Sequence, residues 1–233
     1  MAAPAPVKNT IEWDDSWTAI LEKSFEDLSN LAASDGWNLV KEQYNITISS
    51  KIVEGSPLNV MRGELEFDFS VEEVGLAISD IPGRKEWDRL LVEVPKVLSQ
   101  WEDKKVMIGY MKFIGQWPIA QRDMCVLMSF KRTDGENSKA LCIGTSIVNP
   151  GCPEVNGIVR ANILASGFVL EPLGPNKTKV TYLIQLELGG WIPAWVTNFV
   201  GTEAPLALGR LLRVMRQKRD AQKKTAEQGE TKE

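Results

Sequence analysis

Histidine is missing altogether from the 233 residues. That removes the commonest general base and the commonest metal ligand. Ser-His-Asp and Cys-His nucleophilic arrangements are excluded with it. Cysteine is scarce: Cys125, Cys142 and Cys152 stand alone, and no two have CxxC spacing. An odd, unpatterned set predicts buried, reduced thiols rather than a disulfide framework or a metal site. No apolar run approaches the ~18 residues that cross a bilayer. The opening MAAPAPVKNT lacks the apolar stretch of a signal peptide. The expected location is therefore cytoplasmic. Walker, GxGxxG and GxSxG loops are absent too. Positive charge is not in excess: 27 Lys and Arg face 31 Asp and Glu, a net charge of −4. This speaks against nucleic acid as a partner. The expectation is a protein that is not an enzyme, with no cofactor and no metal.

What remains is an ordinary globular composition, 43% hydrophobic and 25% charged. One domain of this length buries roughly 70–75% of its unfolded surface, enough for a core with a hole in it. Residues 1–10 are Pro- and Ala-rich and are expected to be a disordered lead-in. Trp17, Ile20, Leu21, Leu28 and Leu31 then recur at helical spacing, after Asp14, Asp15 and Ser16 at the position of a cap.

Strands follow. NITISSKI alternates with period two. In VMRGELEFDF, Met61, Gly63, Leu65, Phe67 and Phe69 point one way, and Arg62, Glu64, Glu66 and Asp68 the other. Ser70 and Glu73 form a capping box before a helix whose apolar side is Val74, Ala77 and Ile78, ending near Pro82-Gly83. KKVMIGYMKFIG, DMCVLMSFKR, SKALCIGTSIV, GIVRANILASGFVLEPL and TKVTYLIQLEL are further strands. Val180, Tyr182, Ile184 and Leu186 share one face of the last. After Gly189-Gly190, the run from Ile192 to Arg219 reads as one long helix, with Pro205 predicting a kink. The charged tail, 220–233, is expected to be disordered. Helix, strands, helix, many antiparallel strands and a long helix make an α+β domain over 11–219.

Four segments in order carry a family resemblance: RKEWD at 84–88, WPIAQRD at 117–123, GIVRA at 157–161, and TKVTYLIQLELGGWIPAWVTN at 178–198. The chain resembles a START domain, the lipid-transfer fold related to steroidogenic acute regulatory protein. Its motifs are most similar to those of the phosphatidylcholine and ceramide transfer proteins. The resemblance implies a helix-grip fold: a curved antiparallel sheet wrapped round the C-terminal helix, enclosing a hydrophobic tunnel for one lipid, with that helix as part of a lid. A soluble carrier that exchanges one lipid, with a phospholipid favoured, is then the expected function. A lipid-sensing adaptor, or a carrier of a sterol or another hydrophobic ligand, is the alternative. A monomer that makes transient contact with a membrane surface is expected with it.

The resemblance also implies a site. Arg84 and Asp88 correspond to the pair that meets the head group in the choline-lipid relative, and an Arg fork suits phosphate. On residue type alone the pair reads as an exposed i, i+4 ion pair. Tyr182 and Asp88 match the ceramide-binding set. Met111 and Met124 stand where the choline-binding relative has aromatic residues, so no aromatic cage is implied. Gly109 and Met128 stand where sterol-type relatives carry an inward acid-base pair, and Gly144 replaces an amide. Tyr110, Met111, Phe113, Met124, Met128, Tyr182, Trp195, Phe199 and Leu206 complete the expected lining, with Met supplying adaptable packing. Trp191, Arg213, Arg216 and Arg219 are the expected membrane contacts. Arg122 and Asp123 are read as structural, and the direction of Arg160 stays open.

Overall fold

The computed structural model describes residues 9–53, 59–115, 119–135, 138–164, 166–190 and 192–230, without the side chains of 194, 195, 197, 198 and 227–230. Helix α1 (Ser16–Ala33) buries Trp17, Leu21 and Leu28, one stripe at intervals of four and seven. Its first turn is held by Asp14, whose carboxylate accepts from the Ser16 amide at 2.9 Å and the Ser16 hydroxyl at 2.7 Å. Asp15, at the cap position, makes no such bond.

Nine strands form the main path of one sheet. They are β1 (Asn38–Gln43), β2 (Ile46–Ile52), β3 (Asn59–Phe67), β4 (Lys96–Trp101), β5 (Val106–Phe113), β6 (Arg122–Arg132), β7 (Ala140–Ser146), β10 (Ser166–Gly174) and β11 (Lys177–Ile184). Their order is β1-β2-β3-β11-β10-β7-β6-β5-β4, with every pair antiparallel. The two-residue β8 (Val159–Arg160) joins β6 in parallel, and β9 (Asn162–Ile163) pairs with β12 (Leu186–Glu187) apart from the main sheet.

Strand alternation sends neighbouring residues to opposite faces. One face holds Leu65, Phe67, Cys142, Phe168, Val180, Tyr182 and Ile184. Helix α2 (Val71–Ser79) and helix α3 (Ala194–Glu230) pack on it. The other face holds Ile108, Cys125, Leu127, Ile143, Val169 and Leu183, under α1. There Trp13, Trp17 and Trp101 meet edge to face, with ring centroids 5.4 to 5.8 Å apart. The three cysteines are free and buried.

Ser70 and Glu73 make both bonds of the capping box at the start of α2. A short 3-10 helix, Pro82–Glu86, follows. Pro82 presets its first turn, and Asp80 Oδ1 accepts from the Gly83 amide at 3.0 Å. A Cβ on Gly83 would lie 2.2 Å from Asp80 Oδ2, so a side chain there would push that carboxylate aside.

Helix α3 runs through Pro205 and presses that ring onto β3. A Cβ on Gly63 would sit 2.7 Å from Pro205 Cβ, so Gly63 sets how closely the helix approaches. The helix continues to Glu230, eleven residues beyond the expected end at Arg219. Apart from Thr225, the segment AQKKTAEQ consists of strong helix formers, so it extends the helix although exposed. At the other terminus the expected lead-in is tied down at its end. Asn9 Oδ1 accepts from the Gln100 amide at 2.8 Å, and the Thr10 amide donates to Ser99 Oγ at 3.1 Å. Residues 1–8 lie outside the described residues.

Candidate functional site

Between the sheet face of β5, β6, β7, β10 and β11 and the first turns of α3 lies a cavity of about 200 Å³. Its wall is mostly apolar. On β5, the alternation that points Val106, Ile108 and Tyr110 to the α1 side turns Met107, Met111 and Phe113 inward. On β6, Met124, Val126 and Met128 do the same. Gly109 has no side chain to contribute, and a Cβ there would lie 2.6 Å from Met128 Cε. Ile192, Val196, Phe199, Val200 and Ala204 from α3 and its approach close the cavity.

The polar end is built by the segment after α2. Ile81 is buried, and the 3-10 turn directs Arg84 and Asp88 into the cavity wall. Arg84 Nε donates to Asp88 Oδ2 at 3.0 Å, and both side chains are largely buried, at 15% and 7% exposure. The pair is thus no solvated surface pair. Asp88 Oδ1 accepts from the Leu90 amide at 3.1 Å, which fixes the carboxylate. The Arg84 guanidinium lies 5.0 Å from the buried Trp87 ring, a cation–π contact. Burial works against the Arg84 charge, but the facing Asp88 and the Tyr182 hydroxyl together outweigh it, so its pKa is raised. Tyr182 stacks on Phe168, centroids 4.2 Å apart, with its hydroxyl against Arg84. Burial raises the Tyr182 pKa despite that cation, so the phenol stays neutral.

Helix α3 grips the same segment from behind. Glu203, almost fully buried, pairs with Arg210 at 2.7 Å and also with Arg89. Arg210 Nε donates to the Trp87 carbonyl at 2.9 Å. The cavity's polar end and its helical cover are therefore mechanically joined.

Of the expected lining, Arg84, Asp88, Met111, Phe113, Met124, Met128, Tyr182 and Phe199 surround this cavity. Tyr110 does not. It points to the α1 face and donates to Asp123 Oδ2 at 3.0 Å, because residues 110 and 111 of one strand must face opposite ways. Burial, and then Asp123, push its pKa up to about 12. Leu206 is also elsewhere: it packs on the core and borders an open groove of about 1260 Å³ on the outer flank of α3. Trp195 belongs to α3, but its side chain, like Trp191, lies outside the described residues. Arg213 is exposed in the outer groove. Arg216 and Arg219 instead clasp Asp68, each at 2.7 Å, and anchor α3 to the end of β3.

Asp123 is fully buried, and Arg160 meets it with Nε at 2.7 Å and Nη2 at 3.2 Å. Arg160 is therefore paired, which its strand pattern left open. Cys142 borders the cavity, and burial pushes its pKa up to about 12, which makes it an inert thiol. Sequence reasoning missed Met107, and the parity of Met111 and Phe113 was the available signal. It also missed that Arg122 borders the cavity. Among the described residues no helix is long and apolar enough to cross a membrane, and no three acidic, Cys or His side chains gather into a metal site.

Comparisons with known proteins agree with this geometry. An uncharacterised protein of Pseudomonas aeruginosa is 27% identical over 189 residues, covering 81% of this chain and 90% of its own. Human START domain-containing protein 10 is 26% identical over 172 residues, covering 73% of this chain, which spans 57% of that relative's length. The structure of human StAR-related lipid transfer protein 5 superposes with a TM-score of 0.77 at 23% identity, over 88% of this chain and 99% of its own, a likeness of fold. The START domain profile matches residues 23–220, so the chain belongs to the START domain family.

Proposed function

We propose that this protein holds one lipid in the cavity and exchanges it between membranes, with the N-terminal part of α3 moving as the lid. Membership of the START family supports lipid binding and transfer in general. The observation that carries the reading is an apolar, helix-covered cavity that ends in the buried Arg84–Asp88 pair beside Tyr182. A phospholipid is the favoured ligand, because a buried guanidinium suits phosphate and ester oxygens. At about 200 Å³ the cavity is smaller than the roughly 300–1,000 Å³ of ordinary ligand pockets, so loading requires the wall to move. The lining methionines and the two consecutive glycines before α3 supply that freedom: Gly189 and Gly190 have φ of +62° and +64°. Trp191 and Arg213 are the candidate membrane contacts. Arg216 and Arg219 spend their charge first on Asp68.

Native mass spectrometry of the purified protein, with extraction of bound lipid, is expected to find a phospholipid. A sterol, or a protein that binds no offered lipid, sinks the phospholipid reading. Vesicle-to-vesicle transfer separates a carrier from a sensor, which binds without transferring. Replacing Arg84 alone would strand the Asp88 charge, so the informative variant is Arg84→Met with Asp88→Asn. It is expected to weaken phospholipid binding about tenfold or more, as loss of charged hydrogen bonds does. Unchanged binding would remove the pair from the site.

A further inference from the structure

Arg122 is electrostatically unlike the other sheltered arginines. Arg62 pairs with Glu64, Arg84 with Asp88, Arg160 with Asp123 and Arg210 with Glu203. Arg122 is just 7% exposed, and no carboxylate among the described residues forms an ion pair with it. Its neighbour Asp123 points to the opposite face and is occupied by Arg160 and Tyr110. Buried charges are normally paired, since leaving water is costly. Burial accordingly pulls the Arg122 pKa down, although a guanidinium keeps its proton.

Three carbonyls hold Arg122. Nη1 donates to Ala120 at 2.6 Å, Nε to Leu188 at 3.2 Å and Nη2 to Gly189 at 3.1 Å. These bonds orient the group without neutralising it. A guanidinium has five N–H donors, so two remain to offer. The side chain borders the cavity at the end where the chain turns into α3.

The charge balance of the wall follows. Arg84 and Asp88 cancel, and among the described lining residues no further carboxylate is present. Arg122 is left over, and Lys105, at an exposed position of the lining, adds to the same sign. We infer that the cavity selects a lipid whose head group carries net negative charge, and that Arg122 is the residue that reads it. A zwitterionic head group brings its own cation, and the carboxylate able to meet it is already taken by Arg84. A head group with a phosphodiester and no ammonium supplies the missing anion and nothing surplus. This inference rests on the lipid reading of the cavity.

The test uses the full chain, stripped of lipid, and carrier vesicles of phosphatidylcholine. These contain a trace of pyrene-labelled phosphatidylglycerol or of pyrene-labelled phosphatidylcholine with the same acyl chains. Surface charge is then the same in both arms, and the probe recovered on the protein is measured. The native protein is expected to prefer phosphatidylglycerol about tenfold or more, since the choline cation would enter the cavity with no free carboxylate to meet it, and an uncompensated buried charge costs more than that. Arg122→Gln should lose the preference and bind the two probes equally. Arg122→Lys, which retains the charge and guards against a folding defect, should keep part of the preference. Native binding without preference overturns the inference and leaves the lipid reading standing. So does a preference that survives in Arg122→Gln, or an equal loss for both probes in both variants, which marks a purely structural residue. Binding of neither probe overturns the phospholipid reading and this inference together.

Discussion

Asp123 sits between Arg160 and the Tyr110 hydroxyl on the face of the sheet turned away from the cavity. Its side chain is fully buried, so the two oxygens have no water to fall back on. Asp123→Asn is expected to destabilise the fold by about 3–5 kcal/mol, the cost of breaking a buried pair. Chemical denaturation checks this, and lipid affinity of the folded fraction should not change. The same residues show what a sequence reading can reach. Parity along β5 was enough to separate Tyr110 from Met111, had it been applied to the resemblance. Arg160 was undecidable from its own strand, because its partner lies 37 positions away in the chain. Arg84 and Asp88 were locally indistinguishable from a surface pair. Their burial depends on Trp87, Tyr182 and α3, which only the tertiary fold assembles around them.

At the scale of elements, α3 depends on two contacts with β3. The first is steric. Gly63→Ala would bring a methyl within 2.7 Å of Pro205 Cβ and 3.2 Å of its Cα, and neither ring nor backbone yields easily. A loss of about 1–3 kcal/mol is expected, as for overpacking, read from the denaturation midpoint. The second is electrostatic. Burial pushes the Asp68 pKa up, but hydrogen bonds from Arg216 and Arg219 outweigh it and hold the pKa at about 2, below the ordinary 3.8. A carboxylate depressed in this way stabilises the fold above its unfolded pKa. That contribution is lost as pH falls from about 4 towards 2. Asp68 is partly exposed, so screening keeps the effect small. The stability gap between the native protein and Asp68→Asn should therefore shrink across that window, and a constant gap would exclude the linkage. Strands β1 and β4 were the elements that escaped the sequence reading. Both are sheet edges, and β1 is exposed along nearly its whole length, so neither shows the clean two-residue alternation of β3 or β11.

For the whole molecule, the order of elements and the gripping terminal helix were legible because burial imposes periodicity. The cavity was not, since periodicity records which residues leave water and not whether they meet one another. It entered with the family resemblance. A protein that closes around its ligand should be stabilised by it. At a free lipid concentration of 100 times Kd the gain is about 2.7 kcal/mol, if the unfolded chain does not bind. Thermal denaturation with and without a soluble short-chain phospholipid is expected to show an upward shift that grows with concentration. A melting temperature indifferent to every lipid tried would contradict the carrier reading.

The sheet is open, with β1 at one end and β4 at the other, and each edge carries an irregularity. The pairing of β1 with β2 slips between Leu39 and Lys41, and that of β4 with β5 between Val97 and Ser99. A bulge bends the strand and interrupts the row of free amides and carbonyls on which another chain would build. Leu39 and Val40 are exposed at one of these edges, where a straight strand would invite self-association. Each slip breaks the register that an added strand would need, and at the β4 edge the Thr10 amide already donates to the Leu98 carbonyl at 3.1 Å. An open sheet with such edges offers a poorer template for end-to-end pairing than one with two straight, bare edges.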